Sequence, residues 1–137
     1  MSTSKTTAAR QAGSNTLTDG IRVQAQAQWI EEQSDPDNGR WFYAYRIVIT
    51  NEGSAPARLL ARHWIILDAD NHREDVRGPG VIGKTPRLAP GQKFEYTSTC
   101  PLRTAWGTME GSYTFERDDH SVFEAAIGRF FLVLPPK

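Results

Sequence analysis

Residues 78–83, Gly-Pro-Gly-Val-Ile-Gly, satisfy the G-x-G-x-x-G spacing of a dinucleotide-binding loop. Adding Lys84 and Thr85 produces a literal phosphate-loop pattern. Upstream, Trp64-Ile65-Ile66-Leu67-Asp68 has the form of an apolar strand ending in a magnesium-binding aspartate. Both motifs act through structure rather than letters: glycines let backbone N–H groups approach phosphate, and the helix that follows adds its positive N-terminal end. Here Lys84 is followed by Thr-Pro-Arg-Leu-Ala-Pro-Gly, and Pro90-Gly91 ends any helix after about one turn. The acidic residue expected ~20 positions on is missing as well, because Glu95 lies too near. The loop is therefore expected to use glycine for positive φ and close chain approach. A backbone nest that weakly binds an anion is the alternative, and Gly78, Gly80, Gly83 and Lys84 are the residues that would form it.

Asp68, Asp70 and His72 carry the ligand types of a weak Mg²⁺ or Co²⁺ contact. The calcium-loop spacing fails from Asp68, where the required Gly and Glu positions hold Arg73 and Pro79. It fails again from Asp35, where they hold Arg40 and Arg46. Crowded Asp, Asn and Gly are also what hairpin turns use. With one cysteine, Cys100, there is no paired-Cys zinc site and no intrachain disulfide. Cys100 precedes Pro101 within a strand pattern, and His63, His72 and His120 form no local motif with it, so it reads as a small buried thiol. No catalytic residue, metal site or cofactor is assigned, and the chain is not expected to be an enzyme. The aromatic run Trp41, Phe42, Tyr43, Tyr45 has the composition of a base-stacking platform. Charge argues otherwise: 16 Lys+Arg balance 16 Asp+Glu, so the basic field of a nucleic-acid or anionic-membrane binder is lacking and core packing is expected instead.

The elements that must position these residues are strands. Ile21, Val23, Ala25, Ala27 and Trp29 alternate with Arg22, Gln24, Gln26 and Gln28, the period of a half-buried strand. Asp35-Pro36 and Asn38-Gly39 mark a turn before the β-branched and aromatic run Trp41–Asn51. Further strands are read over Arg58–Leu67, Arg73–Arg77, Lys93–Cys100, Thr108–Glu116 and Ser121–Leu134, with a type II turn at Pro90-Gly91 and a bulge or bend at Gly128. His63 opens an apolar strand, where ring nitrogens bonded to backbone are expected. No segment holds a 3.6-residue period over a helix's length. The expectation is one all-β domain of 137 residues: an antiparallel β-sandwich of the immunoglobulin or fibronectin type III kind, with seven to eight strands over residues 21–137. Residues 1–20, rich in Ser, Thr, Ala and Gln, are expected to form a mobile tail, with a helical or partner-bound tail as the alternative. The polar N-terminus is not a secretory signal and no apolar run reaches bilayer length, so a soluble cytoplasmic protein is expected.

Four blocks carry a family resemblance: EEQSDPDNGRWFYAYRIVITNEG, LLARHWIILDADNHREDVRGPGVIG, LAPGQKFEYTSTCPL and GTMEGSY. Together, from about Ile21 to Leu134, they resemble the bacterial ApaG family, with Arg62–Asp68 and Val76–Gly83 the specific parts. The resemblance implies a single fibronectin type III-like sandwich and a link to cobalt resistance and magnesium efflux. It also implies neighbourhood to a diadenosine tetraphosphate hydrolase gene. Similar domains occur in eukaryotic F-box proteins and a polymerase-delta-interacting protein, where they look like interaction modules. A pyrophosphate-binding role suggested for the family's glycine motif would fall on Gly78, Gly80 and Gly83, but Lys84-Thr85 departs from the acidic or amide residues usual there. The expected function is a non-enzymatic interaction module with an unidentified protein partner, acting through the glycine loop and Arg62, His63 and Trp64. Weak binding of a nucleotide, pyrophosphate or dinucleoside polyphosphate through residues 78–85 is the alternative. Sheet edges and the apolar Phe130–Leu134 end are compatible with a homodimer.

Overall fold

A computed structural model describes residues 12–136. The β-rich, alternating segments form nine strands in chain order: β1 (Ser14–Thr18), β2 (Ile21–Trp29), β3 (Trp41–Asn51), β4 (Ala57–Asp68), β5 (Arg73–Pro79), β6 (Arg87–Leu88), β7 (Lys93–Leu102), β8 (Gly107–Arg117) and β9 (Val122–Leu132). One sheet runs β1-β2-β3-β7 and the other β5-β4-β8-β9, with β6 added on β4. All pairings are antiparallel. The expected sandwich is what forms, with two strands more than the seven read individually from alternation.

Those two are β1 and β6. The mobile tail assigned to residues 1–20 is corrected from Ser14 onward, where β1 pairs with β2 from Ser14↔Ala25 to Thr18↔Ile21. Residues 1–11 lie outside the described residues. What orders β1 is polar: Ser14 Oγ donates to Gly128 O at 2.7 Å, Thr16 Oγ1 donates to Ala126 O at 2.6 Å, and Thr18 Oγ1 accepts from Ala126 N at 3.2 Å. Three hydroxyls thus satisfy the outer edge of β9, where an unpaired strand edge would otherwise invite association. Gly128 lacks a side chain where a Cβ would lie 2.8 Å from Thr16 Cγ2. It also sits in the expected bulge, since the β8–β9 register shifts between Met109 and Gly111.

The inward faces meet in an aromatic core. Tyr43, Tyr113, Phe115 and Phe130 are fully buried among Ile21, Ile47, Ile49 and Leu59. Tyr43 and Tyr45, once candidates for a stacking platform, therefore belong to the core. The hydroxyls of Tyr96 and Tyr113 bond each other at 2.5 Å, and Tyr43 Oη donates to Ala105 O, so these buried polar tips are paired. At one end of the sandwich, buried Asn51 ties the loop after β3 to β6. Its Nδ2 donates to Ala55 O and Leu88 O, and its Oδ1 accepts from Gly53 N, each at 2.9 Å. Arg117 adds bonds to Ala55 O and Asp19 O while its guanidinium lies over the Phe123 ring.

Candidate functional site

The 78–85 segment is a hairpin built on a bulge. Leu60 is the extra residue in β4 where the β4–β8 register shifts between Leu59 and Ala61. Its carbonyl accepts from Gly80 N at 2.7 Å. Val81 N donates to Lys84 O at 2.9 Å and Lys84 N returns to Val81 O at 2.8 Å. Between them stand Ile82 at φ 43° and Gly83 at φ 76°, the paired positive angles of a type I′ turn. Gly80, at φ 58°, has no room for a side chain: a Cβ would lie 2.3 Å from Lys84 O. The expectation that these glycines serve positive φ and close approach is what the chain does.

Val81 is fully buried, whereas Ile82, its neighbour, is 54% exposed. A left-handed backbone costs a non-glycine residue about 1–2 kcal/mol, and a β-branched side chain tolerates it worst. Val81 therefore anchors the hairpin in the core, and Ile82 stands out as a strained apolar knob.

Two arginines hold the hairpin from below. Arg62 Nη1 donates to Pro79 O and Gly80 O, both at 2.9 Å. Gly78 leaves space for that guanidinium, since a Cβ there would sit 2.8 Å from Arg62 Nη2. Arg58 Nη1 donates to Thr85 O at 2.8 Å. Behind Lys84 the chain runs extended into β6, with no helix. A phosphate cradle needs successive amides pointing outward at one position. In this hairpin the Gly80, Val81 and Lys84 amides already donate to carbonyls, and two carbonyls face a guanidinium.

Arg62, His63 and Trp64 do not make one surface, which corrects their grouping as an interaction face. Trp64 is only 3% exposed and packs edge-to-face on Tyr45 at 5.3 Å and Phe130 at 5.9 Å. Arg62 shares its inward face and is spent on the hairpin. His63 points to the other side, where Nε2 lies 2.8 Å from Asp75 Oδ2, a carboxylate rather than the expected backbone partner. Arg73 Nε bonds the same carboxylate at 2.7 Å. Arg73 first, then His63, hold the Asp75 carboxyl well below the usual range.

The acidic turn is internally satisfied. Asp68 Oδ1 accepts from Asp70 N at 2.9 Å and His72 N at 3.0 Å. Among the described residues no three His, Cys, Asp or Glu side chains gather to hold a metal. Cys100 is buried, and burial pushes its thiol up to about 12, far from a reactive thiolate. In the Phe130–Leu134 end, Phe130 and Leu132 are core while Phe131, Val133 and Leu134 are partly exposed. No helix among the described residues is long and apolar enough to cross a membrane. Ile82, Asn51 and the β1 hydroxyls went unread in the sequence. Only the "V-I-G" between two closing residues hinted at Ile82, as a β-branched residue beside a turn glycine.

A two-sheet antiparallel scaffold of this kind, with its loops braced by polar side chains, is a fibronectin type III-like β-sandwich domain. Comparison with known proteins makes this specific. The chain belongs to the ApaG family: the ApaG domain model matches residues 31–117. It is 47% identical over 122 residues to Protein ApaG of Anaeromyxobacter dehalogenans strain 2CP-C, covering 89% of this chain and 96% of that one. It is 51% identical over 115 residues to Protein ApaG of Dechloromonas aromatica strain RCB, covering 84% and 91%. Its fold is similar to the crystal structure of an ApaA protein from Bordetella pertussis, with a TM-score of 0.83 and 44% identity over 85% of this chain and 95% of that one.

Proposed function

We propose that this ApaG-domain chain is a non-enzymatic docking module that binds a protein partner through the 78–85 hairpin. The observation that carries the reading is Ile82: an aliphatic, β-branched side chain held 54% exposed on a left-handed backbone. Selection for stability alone favours Gly, Asn or Asp in that position. An apolar knob on a loop closed by the Val81–Lys84 bonds and braced by Arg62 is, by contrast, the form of an interface anchor. Arg62 is a positioning residue in this scheme, and Trp64 holds the strand that carries it.

The link to Co²⁺ or Mg²⁺ handling comes from the family resemblance. A small sandwich domain cannot itself carry ions across a membrane, so that role runs through the partner. The test is capture of partners from cells on the immobilised full chain and on its Ile82→Asn variant. A partner retained by the parent and lost from a variant that melts no lower supports the reading. Equal retention by both contradicts it.

A further inference from the structure

The hairpin's surroundings define the chemistry of what it binds, an inference that rests on the docking reading above. Arg58, Arg62, Lys84 and Arg87 touch or belong to the hairpin and its exit strand. Two carboxylates lie near them, Asp118 and Glu116. Asp118 is taken by Arg87, in a fork of 3.2 Å and 2.6 Å, and its carboxyl is pulled below its ordinary value mainly by those bonds, with Arg58 adding to the effect. Glu116 stands across from Arg58 in the β4–β8 register, yet the side chain within 4 Å of its carboxylate is His120, whose Nδ1 lies 3.6 Å away, and not Arg58. Arg62 spends its guanidinium on two carbonyls. Lys84 and Arg58, both exposed, are left without a carboxylate partner among the described residues. This bias is local, because the whole chain carries a net charge of +0.

We propose that the hairpin takes an acidic, apolar segment of a partner protein, seating an aliphatic or aromatic side chain against Ile82 and carboxylates on Lys84 and Arg58. An apolar knob on a hairpin that also carries Lys84 and is touched by Arg58 matches apolar and acidic side chains spaced within a few residues, as a polypeptide supplies them. A phosphate chain or nucleic acid would meet the cations but would leave Ile82 facing charge, and three of the hairpin's amides, those of Gly80, Val81 and Lys84, already donate to carbonyls. Lys84 adjusts to a carboxylate as a point charge, while Arg58 is braced by the Thr85 carbonyl. Rim cations of this kind set specificity and association rate, and screening weakens them.

The experiment pans a random-peptide phage library on the immobilised full chain and measures the selected peptides, fluorescently labelled, against variants. The expected consensus places Asp or Glu beside Leu, Ile, Phe or Trp. Lys84→Glu is expected to weaken binding about tenfold or more, Arg58→Gln about threefold, and added salt to weaken it progressively. Ile82→Asn should abolish selection while leaving the fold intact. Peptides that need Ile82 but carry no carboxylates, or that ignore Lys84→Glu, overturn the acidic assignment and leave the docking reading standing. Peptides indifferent to Ile82→Asn, or none at all, overturn both. Inorganic tripolyphosphate binding at Lys84 more tightly than any selected peptide also overturns the assignment, in favour of a simple anion site.

Discussion

Two hairpin turns in this molecule share one backbone geometry and differ in what occupies it. Between β1 and β2 the central residues are Asp19 at φ 47° and Gly20 at φ 85°. Between Val81 and Lys84 they are Ile82 at φ 43° and Gly83 at φ 76°. Asp-Gly is among the best pairs for a type I′ turn, because Asp tolerates the left-handed region and Gly ignores it. Ile-Gly is a poor pair for the same geometry. The first turn is stitched into its neighbours, with Arg117 on Asp19 O and Glu52 N on Gly20 O at 2.7 Å. The second has its unfavourable residue pointing at solvent. Local preference and global fold agree at one turn and conflict at the other, and such conflicts concentrate at functional positions.

The largest effect is expected where the strained hairpin is closed. Gly80→Ala would drive a Cβ against Lys84 O and force an Ala into φ 58°, so a loss of roughly 3 kcal/mol is expected in urea unfolding. A loss of only a few tenths would mean the hairpin is loosely held. Arg62→Ala, which frees the Pro79 and Gly80 carbonyls, should cost about 1–2 kcal/mol and raise amide exchange across residues 78–85 first. Protection unchanged there would refute Arg62 as the hairpin's brace. Transplanting the conflict sharpens the comparison further. Asp19→Ile in the favourable turn should cost about 1–2 kcal/mol, the penalty Ile82 already carries.

The smallest effect concerns the far side of β4. The Asp75 carboxyl, lowered in the folded state by Arg73 and His63, contributes stability that is present above the ordinary Asp value, about pH 4, and is lost as pH falls through its folded value. Acid unfolding of Asp75→Asn should therefore show a shallower slope below about pH 4 than the parent. Identical slopes would mean the Arg73–Asp75–His63 cluster is too solvated to matter, as surface pairs often are.

Much of the architecture could be read from residue order because its causes are local. Alternation placed β2 and β3, and Pro90-Gly91 forms the expected type II turn, with Gly91 at φ 87° and Gln92 N on Ala89 O. The unread parts depend on tertiary contacts. β1 has no apolar face to announce it, since its order comes from hydroxyls reaching a strand more than a hundred residues away. The site was only half legible for a subtler reason. Ala57 and Leu59 point inward, and simple alternation would send Ala61 and His63 with them. The Leu60 bulge reverses that parity and turns Arg62 and Trp64 inward instead. Nothing in the residues alone betrays a one-residue slip, and a strand cannot present adjacent His63 and Trp64 on one face, so their grouping fails. Ile82 stayed hidden because the loop reads through its glycines, and neither its left-handed φ of 43° nor its 54% exposure has a signature in the residue order.

The most direct test of the account combines two numbers on one variant: the melting temperature and the partner retention of Ile82→Asn, measured side by side with the parent chain. Relief of the left-handed penalty should raise stability by about 1 kcal/mol while partner retention falls at least tenfold. An Ile82→Asn chain less stable than the parent would show that Ile82 is not strained, and one that keeps its partner undiminished would show that Ile82 is not the point of contact.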